Sequence, residues 1–173
     1  MSEIVATSDD AQLRSALWAM TSGLYLLSLS DGSRTHLMTI SLVMQAAKHP
    51  RRLAMSIEEG AIALGFLAPL APVGLVLLEA SQAPLARKFA KPPVFDDQDD
   101  TQASGVPIVR HADSGLVMPR DALGMLIGRV YSTIALESHW LVITSVDSMV
   151  TTKTPSQWTK VLSMSDTRMR YGG

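Results

Sequence analysis

The alternation of apolar and polar positions predicts strands over most of this chain, with one helix at its start and short helices between later strands. Leu13, Leu17 and Met20, with Ala16 beside them, fall at helical spacing over residues 11–20 after a Ser8-Asp9-Asp10 cap. That helix is expected to pack one stripe on a sheet. Thr21-Ser22-Gly23 breaks the pattern, and residues 24–30 read as a strand ending at Asp31-Gly32, a hairpin signal. The rest of the chain is organised around the stretch 35–57. Residues 36–44 are extended and largely apolar, but carry hydroxyls at Thr39 and Ser41, two apart and so on one face. Residues 53–57 place Ser56 between Met55 and Ile57, and the basic elbow Lys48-His49-Pro50-Arg51-Arg52 joins the two segments. Strand, turn, strand, elbow and strand describe an antiparallel meander, the usual start of a barrel. Hydroxyls beside cations suggest an anion site.

Further along, Ala61 opens a small-residue run best read as a short helix closed by Pro69 and Pro72, and residues 73–79 form another strand. Ser81 is expected to cap a helix reaching Ala90, with Pro84 inside the first turn and Lys91-Pro92-Pro93 as its stop. Residues 96–104 are acidic and aperiodic, which predicts a surface loop. Residues 123–135 and 139–150, rich in Val, Ile, Tyr and Thr, pair as strands that close the sheet, and residues 154–158 form a last capped turn.

Composition narrows the chemistry. The 173 residues suffice for one domain, 1–173, with a core that needs no staple. With 47% hydrophobic and 18% charged residues the chain is apolar for its length, and a subunit interface would absorb the surplus. Prolines or charges interrupt every apolar run long enough to span a membrane, and the acidic first ten residues lack a signal-peptide pattern, so the expected compartment is the cytoplasm. The absence of cysteine removes thiol catalysis, disulfides and cysteine-ligated metals. A net charge of −1 offers nucleic acid no broad attraction. His36, His49, His111 and His139 lack metal-site spacing, and no Gly-x-Ser-x-Gly elbow, Walker loop or dinucleotide fingerprint occurs.

Several segments together resemble the flavin reductase-like family of FMN-binding split barrels. Met20-Thr21-Ser22-Gly23-Leu24-Tyr25 resembles the family's Pro-Thr-Gly-Val opening, and Leu37-Met38-Thr39-Ile40-Ser41 its Gly-Met-Thr-x-Ser segment. His49-Pro50 stands where the family has Asp-Pro-Pro, and Met55-Ser56-Ile57 matches its next strand. Leu85-Ala86-Arg87-Lys88-Phe89-Ala90 resembles Leu-Ala-Arg-x-Phe-Ala, Ser138-His139-Trp140 resembles Asp-His-Thr, and Arg170-Tyr171-Gly172 the terminal Arg-Tyr-Gly. Their order and spacing over nearly the whole chain carry the resemblance.

The resemblance implies a mainly β fold, an antiparallel split β-barrel with peripheral short helices. It implies a homodimer holding FMN, with FAD as the alternative, and passing hydride to it from NAD(P)H as substrate. The reduced flavin would serve a separate monooxygenase component. Carried over, Met38, Thr39, Ile40 and Ser41 with Ser56 and Ile57 would wall the flavin, Arg87 or Lys88 would meet its phosphate, and His139 and Tyr171 would close the pocket, His139 being the catalytic candidate. Ala46-Ala47, Gly60-Ala61 and Ala63 stand where the family often has hydroxyl or basic residues, and Glu58 and Glu59 would oppose an anion there. The alternative is therefore a non-catalytic flavin-binding or degenerate barrel. From the residues alone, the favoured reading of Thr39 and Ser41 is strand hydroxyls bonded to backbone, and that of the basic elbow a solvated turn.

Overall fold

Asp9 Oδ1 accepts hydrogen bonds from the backbone N–H groups of Ala11 (2.8 Å) and Gln12 (3.2 Å). Two donors of the first turn are thereby satisfied, and helix α1 (Asp10–Trp18) begins there. The structure, a computed structural model, describes residues 8–20, 22–95, 101–167 and 169. The expected packing of α1 on a sheet is corrected here, since none of its residues is buried. Leu17 is 58% exposed and Met20, just beyond the helix, 70%.

Strands β1 (Tyr25–Ser30) and β2 (Thr35–Ile40) form the anticipated hairpin. Its turn is fixed by Asp31, whose carboxylate accepts from the N–H groups of Ser33 (3.0 Å) and Arg34 (2.7 Å) and from Arg34 Nε (2.8 Å). Those bonds hold the Asp31 carboxyl well below the usual carboxylate range. Gly32 supplies the positive φ of +89° that the turn needs.

The chain continues through β3 (Val43–Lys48), β4 (Arg51–Glu58) and β5 (Pro72–Leu77), then α2 (Ala83–Lys88). After it come β6 (Gln102–Ala103), β7 (Val106–Arg110), β8 (Val117–Pro119), β9 (Gly124–Leu136), β10 (His139–Ser145) and β11 (Ser148–Thr151). The main sheet runs β2-β1-β5-β9-β10-β4-β3, with β11 also on β9, and β6-β7-β8 form a smaller sheet. All pairings are antiparallel. The edge strands β2 and β3 are joined by Ser41-Leu42 alone, so the sheet must curl until its edges meet at that corner. This is the split barrel.

Other expectations are refined. Residues 36–44 are two strands, not one, because the chain turns at Ser41-Leu42, and β2 pairs with β1 while β3 pairs with β4, so the simple meander does not form. The short helix after Gly60 is a 3-10 turn (Ile62–Phe66). Glu79, not Ser81, caps the segment before α2: Gln82 Oε1 accepts from the Glu79 N–H (2.9 Å), and Ser81 instead donates its hydroxyl to Glu79 (3.2 Å). Of the acidic loop, 96–100 lie outside the described residues, and Gln102-Ala103 is a strand. Residues 139–150 divide at Val146-Asp147, where the Asp147 N–H bonds to Ile127 O (2.8 Å) and turns β11 back onto the first half of β9. Thr154 caps a 3-10 turn (Pro155–Gln157) as expected, but it is not the last, since a second turn (Met164–Asp166) follows.

Two cores result. Leu27, Leu29, Ile40, Met55, Ile57 and Val142 point into the barrel, and Phe66 of the 3-10 turn plugs one end. On the outer face, Leu24, Leu26 and Leu37 meet Phe89 of the α2 segment and Met118 of the small sheet. Thus β1 is covered on both faces, and its buried Ser28 accepts a hydrogen bond from the Val117 N–H (2.8 Å), which ties the small sheet to the barrel.

His36, 7% exposed, stacks on Phe66 with ring centroids 5.8 Å apart, and the Arg34 guanidinium lies 5.0 Å from the same ring. Burial lowers the His36 pKa from its ordinary 6.5. The unfolded chain therefore binds more protons than the folded one as pH falls through 6.5, and stability declines from there down to the folded value. Full stability is present above the unfolded pKa. In thermal melts from about pH 7.5 to 5, His36→Phe is expected to flatten this acid-side loss; an unchanged slope would remove His36 as its source.

Candidate functional site

The outward face of β4 carries Ala54 and Ser56, and the register pairs Ser56 with Leu141 of β10. Across the corner Ser41-Leu42, the Val43 N–H donates to Ser41 O and the Ser56 N–H to Leu42 O, each at 2.9 Å. This brings Ser41 and Ser56 to one wall. The opposite wall comes from the chain's two ends. The Leu24 N–H bonds to Leu162 O and the Met164 N–H to Ser22 O, both at 3.0 Å, so residues 162–164 run antiparallel beside 22–24 and bring Met164 next to the end of α1. Lys160 donates to Asp166, which also accepts from the Ser163 N–H (3.0 Å) and hydroxyl (2.7 Å). These bonds hold the Asp166 carboxyl down at about 2 and fix the 3-10 turn Met164–Asp166.

Between the walls lies a cleft of about 860 Å³, lined by Trp18, Met20, Ser22, Ser41, Met44 and Ser56 together with Leu42, Ala54, Leu141, Met164, Ser165 and Met169. Its size suits a cofactor-sized ligand, and its character is a largely apolar trough with a few hydroxyls. Among the described residues the hydroxyls of Ser22, Ser41 and Ser56 make no hydrogen bond. They are available to a ligand. Among the described residues that line it there is no lysine or arginine.

The sequence-predicted residues do not all gather at this cleft. Ser41 and Ser56 line it. Thr39, on β2 two residues before Ser41, donates its hydroxyl to Ala86 O (2.5 Å), while its N–H bonds to Phe89 O (3.0 Å). It therefore clamps α2 against β2. Ile40 and Ile57 are buried inside the barrel, with Met38 packed beside them. Arg87 and Lys88 are exposed on α2, next in sequence to the Ala86 that Thr39 holds. His139 is half-buried at the start of β10, two residues before Leu141 on the same face, with Nδ1 3.0 Å from the Ser138 hydroxyl. Tyr171 lies outside the described residues. Gly60, Ala61 and Ala63 do not line the cleft, and Glu59 accepts a hydrogen bond from Trp140 Nε1. Sequence reasoning missed Trp18, Met44, Leu141 and Met164. The apolar stripe of α1 was the available signal, but it reads equally as a core stripe.

Known proteins share both the sequence pattern and the fold. The family model described as flavin reductase like domain matches residues 17–171. A curated protein of Thermosynechococcus vestitus, assigned the name diflavin flavoprotein A 1, is 29% identical over 142 residues, which make up 80% of this chain; the chain spans 24% of that relative's length. Among solved structures, the NADH:FAD oxidoreductase of Streptomyces globisporus superposes with a TM-score of 0.77 at 22% identity, covering 100% of this chain and 98% of that one. The styrene monooxygenase flavin reductase of Pseudomonas putida gives a TM-score of 0.65 at 23% identity, covering 82% and 86%. Both likenesses are of fold. Among the described residues no helix is long and apolar enough to cross a membrane, and no group of side chains could hold a metal ion.

Proposed function

We propose a function from one premise: the chain belongs to the flavin reductase-like domain family. In this reading it is an NAD(P)H:flavin oxidoreductase acting on FMN, with FAD the alternative flavin, and its product feeds a separate monooxygenase component. The observation that carries the reading is the cleft, where unpaired serine hydroxyls stand in apolar walls. When bound, a flavin supplies the two-electron chemistry, accepting hydride from the nicotinamide.

The chain's own residues need only bind, orient and exclude water. Ser41 and Ser56 donate hydrogen bonds to ring heteroatoms, and Met44, Leu141 and Met164 keep solvent from the ring faces. His139 borders the same face and closes the site around the incoming nicotinamide, a role Tyr171 shares. Thr39 acts at one remove, since it holds α2 so that Arg87 or Lys88 reaches the phosphate beyond Ser41. A homodimer is supported by the apolar surface that the described residues leave exposed, including Met44 at 64%, Ile134 at 50% and Leu136 at 49%. Residues 1–173 act as one domain, with the cytoplasm as its compartment.

The test is a visible spectrum of the protein with FMN, then with anaerobic NADH or NADPH. Bleaching of the bound flavin is expected; binding without bleaching under either donor would leave a flavin carrier in its place. Arg87→Ala should weaken FMN about tenfold and riboflavin hardly at all, because only the phosphorylated ligand loses a charge-assisted bond. Equal losses for the two ligands would remove Arg87 from the phosphate.

A further inference from the structure

The barrel has two ends, and they differ. Phe66 plugs one, whereas the other opens into a cavity of about 360 Å³ lined by Tyr25, Leu53, Leu75, Leu77, Leu126 and Val146, with Gln45, Arg51 and Arg52 at its border. Alternation along β4 puts Arg51 on the inward face with Leu53, Met55 and Ile57, so its side chain stands at the mouth of an aliphatic space. Among the described residues Arg51 has no acidic partner: the ion pairs are Arg14–Asp10, Arg34–Asp31 and Lys160–Asp166. Asp147, near it in the fold, accepts the Ser145 hydroxyl at 2.9 Å. Arg52 lies 4.5 Å over the Tyr131 ring, and Lys48 and His49 flank the turn. The Tyr25 hydroxyl makes no hydrogen bond among the described residues.

We propose that this open end is a second small-molecule site, distinct from the cleft, which takes a compact organic carboxylate with its apolar body in the barrel and its charge at Arg51. Leucine and valine walls give water few partners, so an apolar body displaces solvent that is poorly held. The guanidinium at the mouth selects an anion over a neutral molecule of the same shape and offers a carboxylate two parallel donors. Tyr25 adds an aromatic flank to the wall, with its hydroxyl end lying against Gly23. Val43 and Met44 line both this cavity and the cleft, so ligands in the two spaces face each other across β3.

The test is isothermal titration of the full chain with 2-naphthoate and with its neutral analogue 2-naphthalenemethanol, each with and without saturating FMN. One naphthoate per chain is expected, bound about tenfold more tightly than the alcohol, with or without FMN. Arg51→Gln should weaken naphthoate about tenfold and leave the alcohol unchanged. Leu126→Phe, which fills the cavity, should abolish both. Absence of naphthoate binding, competition with FMN, or equal binding by wild type and both variants would overturn the site. A chain that ignores FMN but binds naphthoate in the Arg51-dependent manner would keep this site while removing the flavin reading.

Discussion

Gly128→Ala is expected to lower the stability of the fold by about 3 kcal/mol and its melting temperature by roughly 10 °C. A Cβ at this position would stand 1.8 Å from Ser145 O and 2.6 Å from Ser145 C, both backbone atoms that no rotamer change can move aside. The collision falls where β9 changes partners, pairing with β11 from Gly124 to Ile127 and with β5 through Arg129, and with β10 from Val130 onward. The same corner is pinned by the Arg129 N–H donating to Ser145 Oγ (2.9 Å) and by the Ser145 hydroxyl donating to Asp147. Any shift that relieves the collision therefore strains the joint on which the barrel's closure depends. Gly65→Ala is the control, because a Cβ there meets nothing within 4 Å, and it should be neutral or slightly stabilising. Urea unfolding midpoints for the two variants decide the matter. Equal midpoints would mean that the corner is plastic and the close approach unimportant.

That corner also marks the limit of what alternation alone can say. The hairpin at Asp31-Gly32, the long strand after Leu123 and the cap at Thr154 were legible because each is a local signal, a turn residue or a β-rich run acting over a few positions. The split of 36–44 was not, because Ser41 and Leu42 carry no turn signature; the break comes from closing the sheet, and closure involves strands far apart in sequence. Strands β7 and β8 escaped for a related reason. Val106-Pro107-Ile108 is short and contains proline, and its partner is set by Ser28, about ninety residues earlier, which accepts from the Val117 N–H. The site divides in the same way. Ser41 and Ser56 were readable as hydroxyls in apolar strands, but their similarity to Thr39 was misleading. Thr39 lies two residues before Ser41, and the position of α2 commits its hydroxyl to Ala86 O while that of Ser41 stays unbonded among the described residues.

The second large effect is expected from Ser56→Phe, which should weaken FMN binding by about 100-fold or more and remove flavin-dependent NADH oxidation, with the melting temperature nearly unchanged. Ser56 projects from the outer face of β4 into the cleft, whereas its neighbours Met55 and Ile57 fill the barrel, so an aromatic ring at 56 occupies ligand space without touching the core. No hydrogen bond among the described residues is lost with the hydroxyl. Ser56→Ala separates volume from chemistry, since losing one neutral hydrogen bond is worth about 1 kcal/mol, a several-fold rather than a hundredfold change. Thr39→Ala should behave in the opposite sense. Removing its hydroxyl leaves the Ala86 carbonyl without this buried partner and costs about 1–2 kcal/mol of stability, with a smaller effect on riboflavin than on FMN because the loosened helix carries Arg87 and Lys88. Fluorescence titrations of both flavins against the three variants, alongside their melts, give the answer. Full FMN affinity in a folded Ser56→Phe variant would put the flavin somewhere other than this cleft. A Thr39→Ala variant that lost affinity without losing stability would return Thr39 to direct contact with the ligand.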